Sequence, residues 1–320
     1  MADVATVTRE DLESAWARLA EHARPTTFVR SDALDEVFGA QITLACETFQ
    51  LTGSFKFRGA FNLLSTVPNK QIVSASSGNF GQAVALAAGL LGKECTVVMP
   101  DTSSKVKIEA VRRNRATVEL VDTTKISRMD RVRELMAEKS DAFYAPAYDE
   151  VRVVAGNSSL GREIFERGID LDAVIVPVGG GGLISGIVTA RDVLGAHVPI
   201  FGAEPAIAND AARSFHSGAL IANELEPPTM ADGARTLSLG QITWPIVCDG
   251  LEDIIEVPEA AIAEGMRQLF RFANVKAEPT GALSVGALSQ RSFAGQRICC
   301  VVSGGNVDEE LYAAVLRREL

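Results

Sequence analysis

Residues 172–194 read DAVIVPVGGGGLISGIVTARDVL. The stretch opens on an apolar run, AVIVPV at 173–178. It passes through four glycines at 179–182 and goes on as LISGIVTARDVL, apolar at helical spacing. A short strand with no polar alternation is covered on both faces, as strands of a parallel sheet are. Working outward, QIVSAS (71–76), ECTVVMP (94–100), ATVELV (116–121), PIFGAE (199–204) and RICCVV (297–302) read as further buried strands. Between them GQAVALAAGLLG (81–92), SRMDRVRELMAEK (127–139) and AAIAEGMRQLFRFAN (260–274) read as helices. Strand–helix alternation over this length predicts an open, largely parallel α/β fold with crossover connections. No repeat, low-complexity tract or linker interrupts it, so a second domain has to form by the chain crossing out and back.

The 320 residues are 47% hydrophobic and 22% charged, with a net charge of −10 and no basic run. That balance suits a soluble globular protein and argues against a nucleic-acid partner. The first 25 residues are polar with a helical pattern and lack the apolar core of a signal peptide. The apolar stretches are broken by Gly and Pro and are too short to span a bilayer. The expectation is a cytoplasmic protein with no membrane partner. Cys46, Cys95, Cys248, Cys299 and Cys300 are odd in number and lack CxxC spacing, which predicts free thiols. His22, His197 and His216 show no i, i+4 pairing that would suggest a histidine metal centre.

In open α/β sheets ligands bind beyond the carboxyl ends of the strands, and the unusual loops fall there. Gly179, Gly180, Gly181 and Gly182 lie between a strand and a helix. Backbone N–H groups can crowd a phosphate in such a turn, and the helix N-terminus adds positive potential. Neither GK[ST] nor GxGxxG accompanies them, so a nucleotide fits less well. Lys56 lies in LTGSFKFRGAFNLL (51–64), with Ser54 as an expected N-cap and Phe55 and Phe57 beside it. A lysine in the first turn of a helix among aromatic rings loses charge stabilisation, as a Schiff-base amine requires. Ser76, Ser77, Gly78 and Asn79 offer donors at the start of a helix, either as caps or as a carboxylate pocket. Ser303–Asn306, SGGN, ends the last apolar strand.

Taken in order, SFKFRGA, SSGNFGQ, VGGGGLISG, ADGART and SGGNVD resemble the fold-type II pyridoxal-phosphate enzymes, and most of all their serine/threonine dehydratase and serine racemase group. The likeness runs from about Leu44 to Asp308. It implies two open, mostly parallel twisted sheets flanked by helices, as in tryptophan synthase β. Residues 1–70 and 149–320 would form a large cofactor domain, and residues 71–148 a small one closing over the substrate. It implies that Lys56 links to pyridoxal 5'-phosphate, with Phe55 against the ring and Asn79 on the phenolic oxygen. Gly179–Gly182 and Leu183 would hold the phosphate, and Ser303 would face the ring nitrogen. A neutral hydroxyl there leaves that nitrogen unprotonated, which suits β-elimination. Ser76, Ser77 and the Asn79–Phe80 backbone would hold the substrate carboxylate, with Arg128 approaching the substrate. Glu204, Asp210 and the Ala208 carbonyl would bind Mg2+, Mn2+ or Ca2+.

The implied activity is a dehydratase that turns L-threonine or L-serine into a 2-keto acid and ammonia, in a homodimer. The alternatives are a racemase using Lys56 and Ser77 on opposite faces, or a dehydratase for phenylserine or 3-hydroxyaspartate. Phe80 stands where many relatives carry histidine; a ring lining the pocket would favour bulkier or less polar substrates.

Overall fold

The computed structural model describes residues 7–103 and 105–320. Among them, strands β1 (Thr27–Arg30), β2 (Gln41–Cys46), β7 (Ala173–Pro177), β8 (Ile200–Pro205), β9 (Asp253–Val257) and β10 (Arg297–Val302) form a six-stranded sheet in the order β1-β2-β10-β7-β8-β9. The edge strand β1 is antiparallel to β2, and every other pairing is parallel. Strands β3 (Gln71–Ala75), β4 (Glu94–Pro100), β5 (Thr117–Val121) and β6 (Ala142–Tyr144) form a second, wholly parallel sheet in the order β5-β4-β3-β6.

The apolar runs are explained by coverage on both faces. Alternate residues of β7 and β10 point to opposite sides, as a period of two requires. Ala173, Ile175, Ile298, Cys300 and Val302 pack with Ile262 and Met266 of the helix Glu259–Ala273 and with Leu283 of the helix Pro279–Ala287. Val174, Val176, Cys299 and Val301 pack on the other side with Leu160 of the helix Val151–Phe165 and with Ile184 and Ile187 of the helix Gly182–Leu194. The small sheet repeats the arrangement. Ile72 and Val97 meet the helices Lys56–Thr66 and Asn79–Leu90, while Val73 and Val98 meet Val132 and Leu135 of the helix Arg128–Glu138.

All five cysteines are free, four of them buried, and burial pushes the Cys46 thiol up to about 12. Among the described residues no helix is long and apolar enough to cross a membrane. The six strands read from the sequence are present within a residue or two at each end, and β1, β2, β6 and β9 add to them. The expected cap at Ser54 is absent. Phe55 takes that place without a side-chain bond, and Ser54 is extended, bridging to Gly304.

Candidate active site

The loops beyond β3, β7 and β10 meet around Lys56. The Phe55 N–H donates to the Ser303 carbonyl (3.0 Å), and the Gly305 N–H donates to the Gly53 carbonyl (2.9 Å). The SFKF segment is thereby laid against the SGGN loop as a strand-like ladder. Lys56 Nζ lies 3.4 Å from the Ala147 carbonyl and 4.9 Å from the centre of the Phe55 ring. The next residue, Tyr148, lies on the glycine loop. A Cβ on Gly180 would fall 2.4 Å from its ring, and one on Gly182 would fall 2.9 Å from its Cβ. Gly181 is left-handed (φ +88°), which favours glycine, and it caps the helix Gly182–Leu194.

The carbonyls of this loop are occupied from behind. Thr243 Oγ1 donates to Gly180 O (2.8 Å), and Asn157 Nδ2 donates to Gly182 O (3.0 Å). The first-turn N–H groups have no acceptor within their helix. A cradle that no side chain can enter, at the positive end of a thirteen-residue helix, fits a phosphate group.

Asn79 begins the helix that follows β3 and is held at both ends of its amide. Its Nδ2 donates to Glu278 Oε1 (2.7 Å), and its Oδ1 accepts from Asn306 Nδ2 (2.8 Å). Asn306 in turn donates to the Thr52 carbonyl (2.7 Å). The amide orientation is fixed, and one N–H of Nδ2 is left over. Glu278 was not singled out from the sequence, where EPT reads as no more than a helix start with proline in its first turn. It is 3% exposed, and its carboxyl is pressed against Gly304. Burial, and then Asp232, push that carboxyl up to about 8, against the pull of Asn79, Lys107 and Lys56. Burial pulls the Lys56 ammonium down to about 8, with Glu278 opposing. Burial therefore works against charge on both the amine and the carboxyl, while each favours the charged form of the other.

Beyond Ser77 the site opens into a polar cavity of about 560 Å3, also lined by Lys107, Arg128, Glu226 and Arg235. Ser77, which lines it, and its neighbour Ser76 are half-buried. Arg235, in the ADGART segment, is a second residue whose role the sequence reading left unassigned.

One expectation changes. The Phe80 side chain is 2% exposed and sits in the apolar cluster of the helices Lys56–Thr66 and Asn79–Leu90. It is a core residue and gives no ground for a bulkier, less polar substrate. Glu204, on β8, accepts from the Ala211 and Ala212 N–H groups (2.9 and 2.8 Å) at the start of the helix Asp210–Ser217. Burial, followed by Asp210, holds its carboxyl well above the usual range, and burial pushes Asp210 up to about 7. Asp210 Oδ1 accepts from Asn223 (2.8 Å), while its Oδ2 is buried without a partner. Ala208 is buried in the turn between them. Among the described residues no group of three or more His, Cys, Asp or Glu side chains gathers as a metal site.

The comparisons follow the same lines. The chain is 40% identical over 313 residues to an L-threo-3-hydroxyaspartate ammonia-lyase of a Pseudomonas species, covering 96% of this chain and 98% of that one. The crystal structure of the T.th. threonine deaminase superposes with a TM-score of 0.89 at 37% identity, covering 94% of this chain and 99% of that one. Maize serine racemase superposes with a TM-score of 0.90 at 31% identity, covering 99% and 98%. The family described as "Pyridoxal-phosphate dependent enzyme" matches residues 19–304. With the lysine, the glycine cradle and the fixed amide in one place, the chain belongs to the pyridoxal-phosphate dependent enzymes.

Proposed function

We propose that this chain is a pyridoxal-phosphate dependent ammonia-lyase that converts a 3-hydroxy amino acid to a 2-keto acid and ammonia. The observation that carries this reading is the buried amine of Lys56, 3.4 Å from the Ala147 carbonyl beside the Tyr148 that packs on the glycine loop, with its ammonium pulled down to about 8. When bound, the cofactor supplies a ring that withdraws electrons from the Cα of the amino acid. Lys56 would be the residue that holds it covalently, and its Nζ, when free, would take the Cα proton. Gly179–Gly182 and the Leu183 N–H would hold the phosphate, Phe55 would pack on the ring, and Ser303 would face its nitrogen. The remaining N–H of Asn79 would serve the phenolic oxygen. Ser76, Ser77 and the N–H groups of Asn79 and Phe80 hold the α-carboxylate, and Arg128 faces the substrate from the outer cavity. Residues 71–148 form the smaller domain over it. In net terms one water leaves with the 3-hydroxyl and one is taken up as ammonia is released.

Gly180→Ala should weaken cofactor binding roughly 10- to 100-fold, because its methyl group would fall on the Tyr148 ring and shift phosphate-binding N–H groups. Titration of the apo protein with pyridoxal phosphate, followed by absorbance, checks this. The reading as a whole is tested by keto-acid assay over the L and D forms of serine and threonine, 3-hydroxyaspartate and phenylserine. Turnover of none of them sinks it.

Racemisation is the second reading, favoured by Ser77 lining the same cavity. It predicts solvent deuterium at Cα without keto-acid release. We also keep the divalent cation at Glu204, Asp210 and the Ala208 carbonyl, supported by the unpartnered Asp210 Oδ2 beside a second buried carboxyl. Such an ion would neutralise the two carboxyls, and EDTA should then lower the unfolding temperature. The homodimer and the cytoplasmic location enter this reading through family resemblance.

A further inference from the structure

Arg128 and Arg235 enter the outer cavity from different parts of the fold. Arg128 is the first residue of the helix Arg128–Glu138, which covers the small sheet, and its N-terminus is capped by Ser127. Arg235 follows the short turn Asp232–Ala234 that packs near the glycine loop, where a Cβ on Gly179 would lie 2.9 Å from the Gly233 carbonyl. Arg235 is not a loose surface residue. Its Nε donates to the carbonyl of Thr229 (2.8 Å), itself fully buried and bonded through its hydroxyl to Glu259 (2.6 Å). That bond occupies one edge of the guanidinium and leaves the outer edge, with both terminal nitrogens, uncommitted.

Neither arginine forms an ion pair among the described residues, although arginines elsewhere in the chain do so repeatedly. Among the described residues the one carboxylate lining the cavity, the exposed Glu226, is bonded to neither. The third cation, Lys107, meets Asp232 at 2.6 Å across the same mouth. Two half-buried guanidiniums facing one cavity repel each other unless an anion lies between them. The α-carboxylate of the substrate already has its donors at Ser76 and Ser77, so a further anion has to come from the side chain.

We propose that Arg235, together with Arg128, holds a carboxylate on the substrate's side chain, and that Arg235 sets a preference for acidic 3-hydroxy amino acids. This rests on the ammonia-lyase reading and adds to it the substrate class and the residue that selects it. A side-chain carboxylate is planar and accepts two parallel N–H bonds, which the outer edge of a guanidinium supplies and an ammonium does not. Serine and threonine leave both arginines unmatched. The turnover is then a 3-hydroxy dicarboxylic amino acid going to a 2-keto dicarboxylic acid and ammonia.

The test compares the holoenzyme with its Arg235→Met, Arg235→Lys and Arg128→Met variants on L-threo-3-hydroxyaspartate and L-serine. Arg235→Met should lower the ratio of kcat/KM for 3-hydroxyaspartate over serine by roughly 10- to 100-fold, mainly through KM, and Arg235→Lys should recover part of it. Arg128→Met should move the same ratio in the same direction, which keeps the proposal testable if an Arg235 variant does not fold. Binding is read separately by calorimetry with L-aspartate, which has the second carboxylate but no 3-hydroxyl, and with L-alanine. Arg235→Met should weaken aspartate more than alanine by a similar factor. An unchanged ratio, or equal losses on both ligands, overturns the proposal. A wild type that binds aspartate through Arg235 yet releases no keto acid from any 3-hydroxy amino acid overturns the ammonia-lyase reading and leaves the anion site standing.

Discussion

Lys56→Ala should leave a folded protein whose keto-acid release is lower by at least about three orders of magnitude. The substitution removes the covalent hold on the cofactor and the base for the Cα proton in one step. It gives up only one long hydrogen bond, from Nζ to the Ala147 carbonyl (3.4 Å), and no ion pair among the described residues. Stability of the apo protein is therefore expected to change little, which separates lost chemistry from lost fold.

The same amine gives the wild type a signature in pH. With its ammonium pulled down to about 8, Lys56 is about one-quarter neutral at pH 7.5, whereas an ordinary lysine is about one-thousandth neutral. Only the neutral amine attacks an aldehyde. Reloading of apo protein with the cofactor, trapped by borohydride, should thus rise with pH through a midpoint near 8. Glu278 favours the ammonium, so Glu278→Gln should move that midpoint downward.

The largest expected loss of stability lies two residues further on. Arg58 is buried at 1% exposure, and its Nε and Nη2 hold the Glu47 carboxylate at 2.7 and 2.9 Å. Its Nη1 donates to Glu163 (2.7 Å) and Ser159 (3.0 Å), and Nη2 donates also to Thr26 (2.9 Å). Arg58→Ala would strand Glu47, which is fully buried, with no cation beside it. Removing one partner of a buried pair costs roughly 3–5 kcal/mol. Arg58→Lys should recover only part of this, since one ammonium cannot replace a fork serving Glu47, Glu163, Ser159 and Thr26. Urea unfolding of the apo protein measures both variants. A loss under about 1 kcal/mol for the alanine variant would contradict this account.

What the chain disclosed in advance follows from how local each feature is. The run 173–182 announces a buried strand and a glycine turn into a helix because apolar continuity and consecutive glycines act within a few residues. The four strands that were not separated are short or irregular: AFY at β6 offers three residues with no alternation, and DIIEV at β9 breaks its apolar run with Glu256. Glu278 and Arg235 gain their roles from partners far along the chain or across a cavity, Asn79 being 199 residues from Glu278. Phe80 shows the converse case. A motif comparison marks the position, but only packing tells that the ring faces the core.

The order of the strands in the two sheets has a consequence for synthesis. Strands β3 to β6 are contiguous, so their sheet is complete once residue 144 has emerged. The larger sheet is not: β2 finds its parallel neighbour only in β10, where Arg297 pairs with Gln41, 256 residues later. While the rest of the chain is being made, β2 therefore carries a bare apolar edge, and such edges invite pairing with another nascent chain. Folding of this protein is completed from its tail. A ribosome stalled after β9 would hold a finished small sheet beside a large one open at its centre, a species that calls for chaperone shielding.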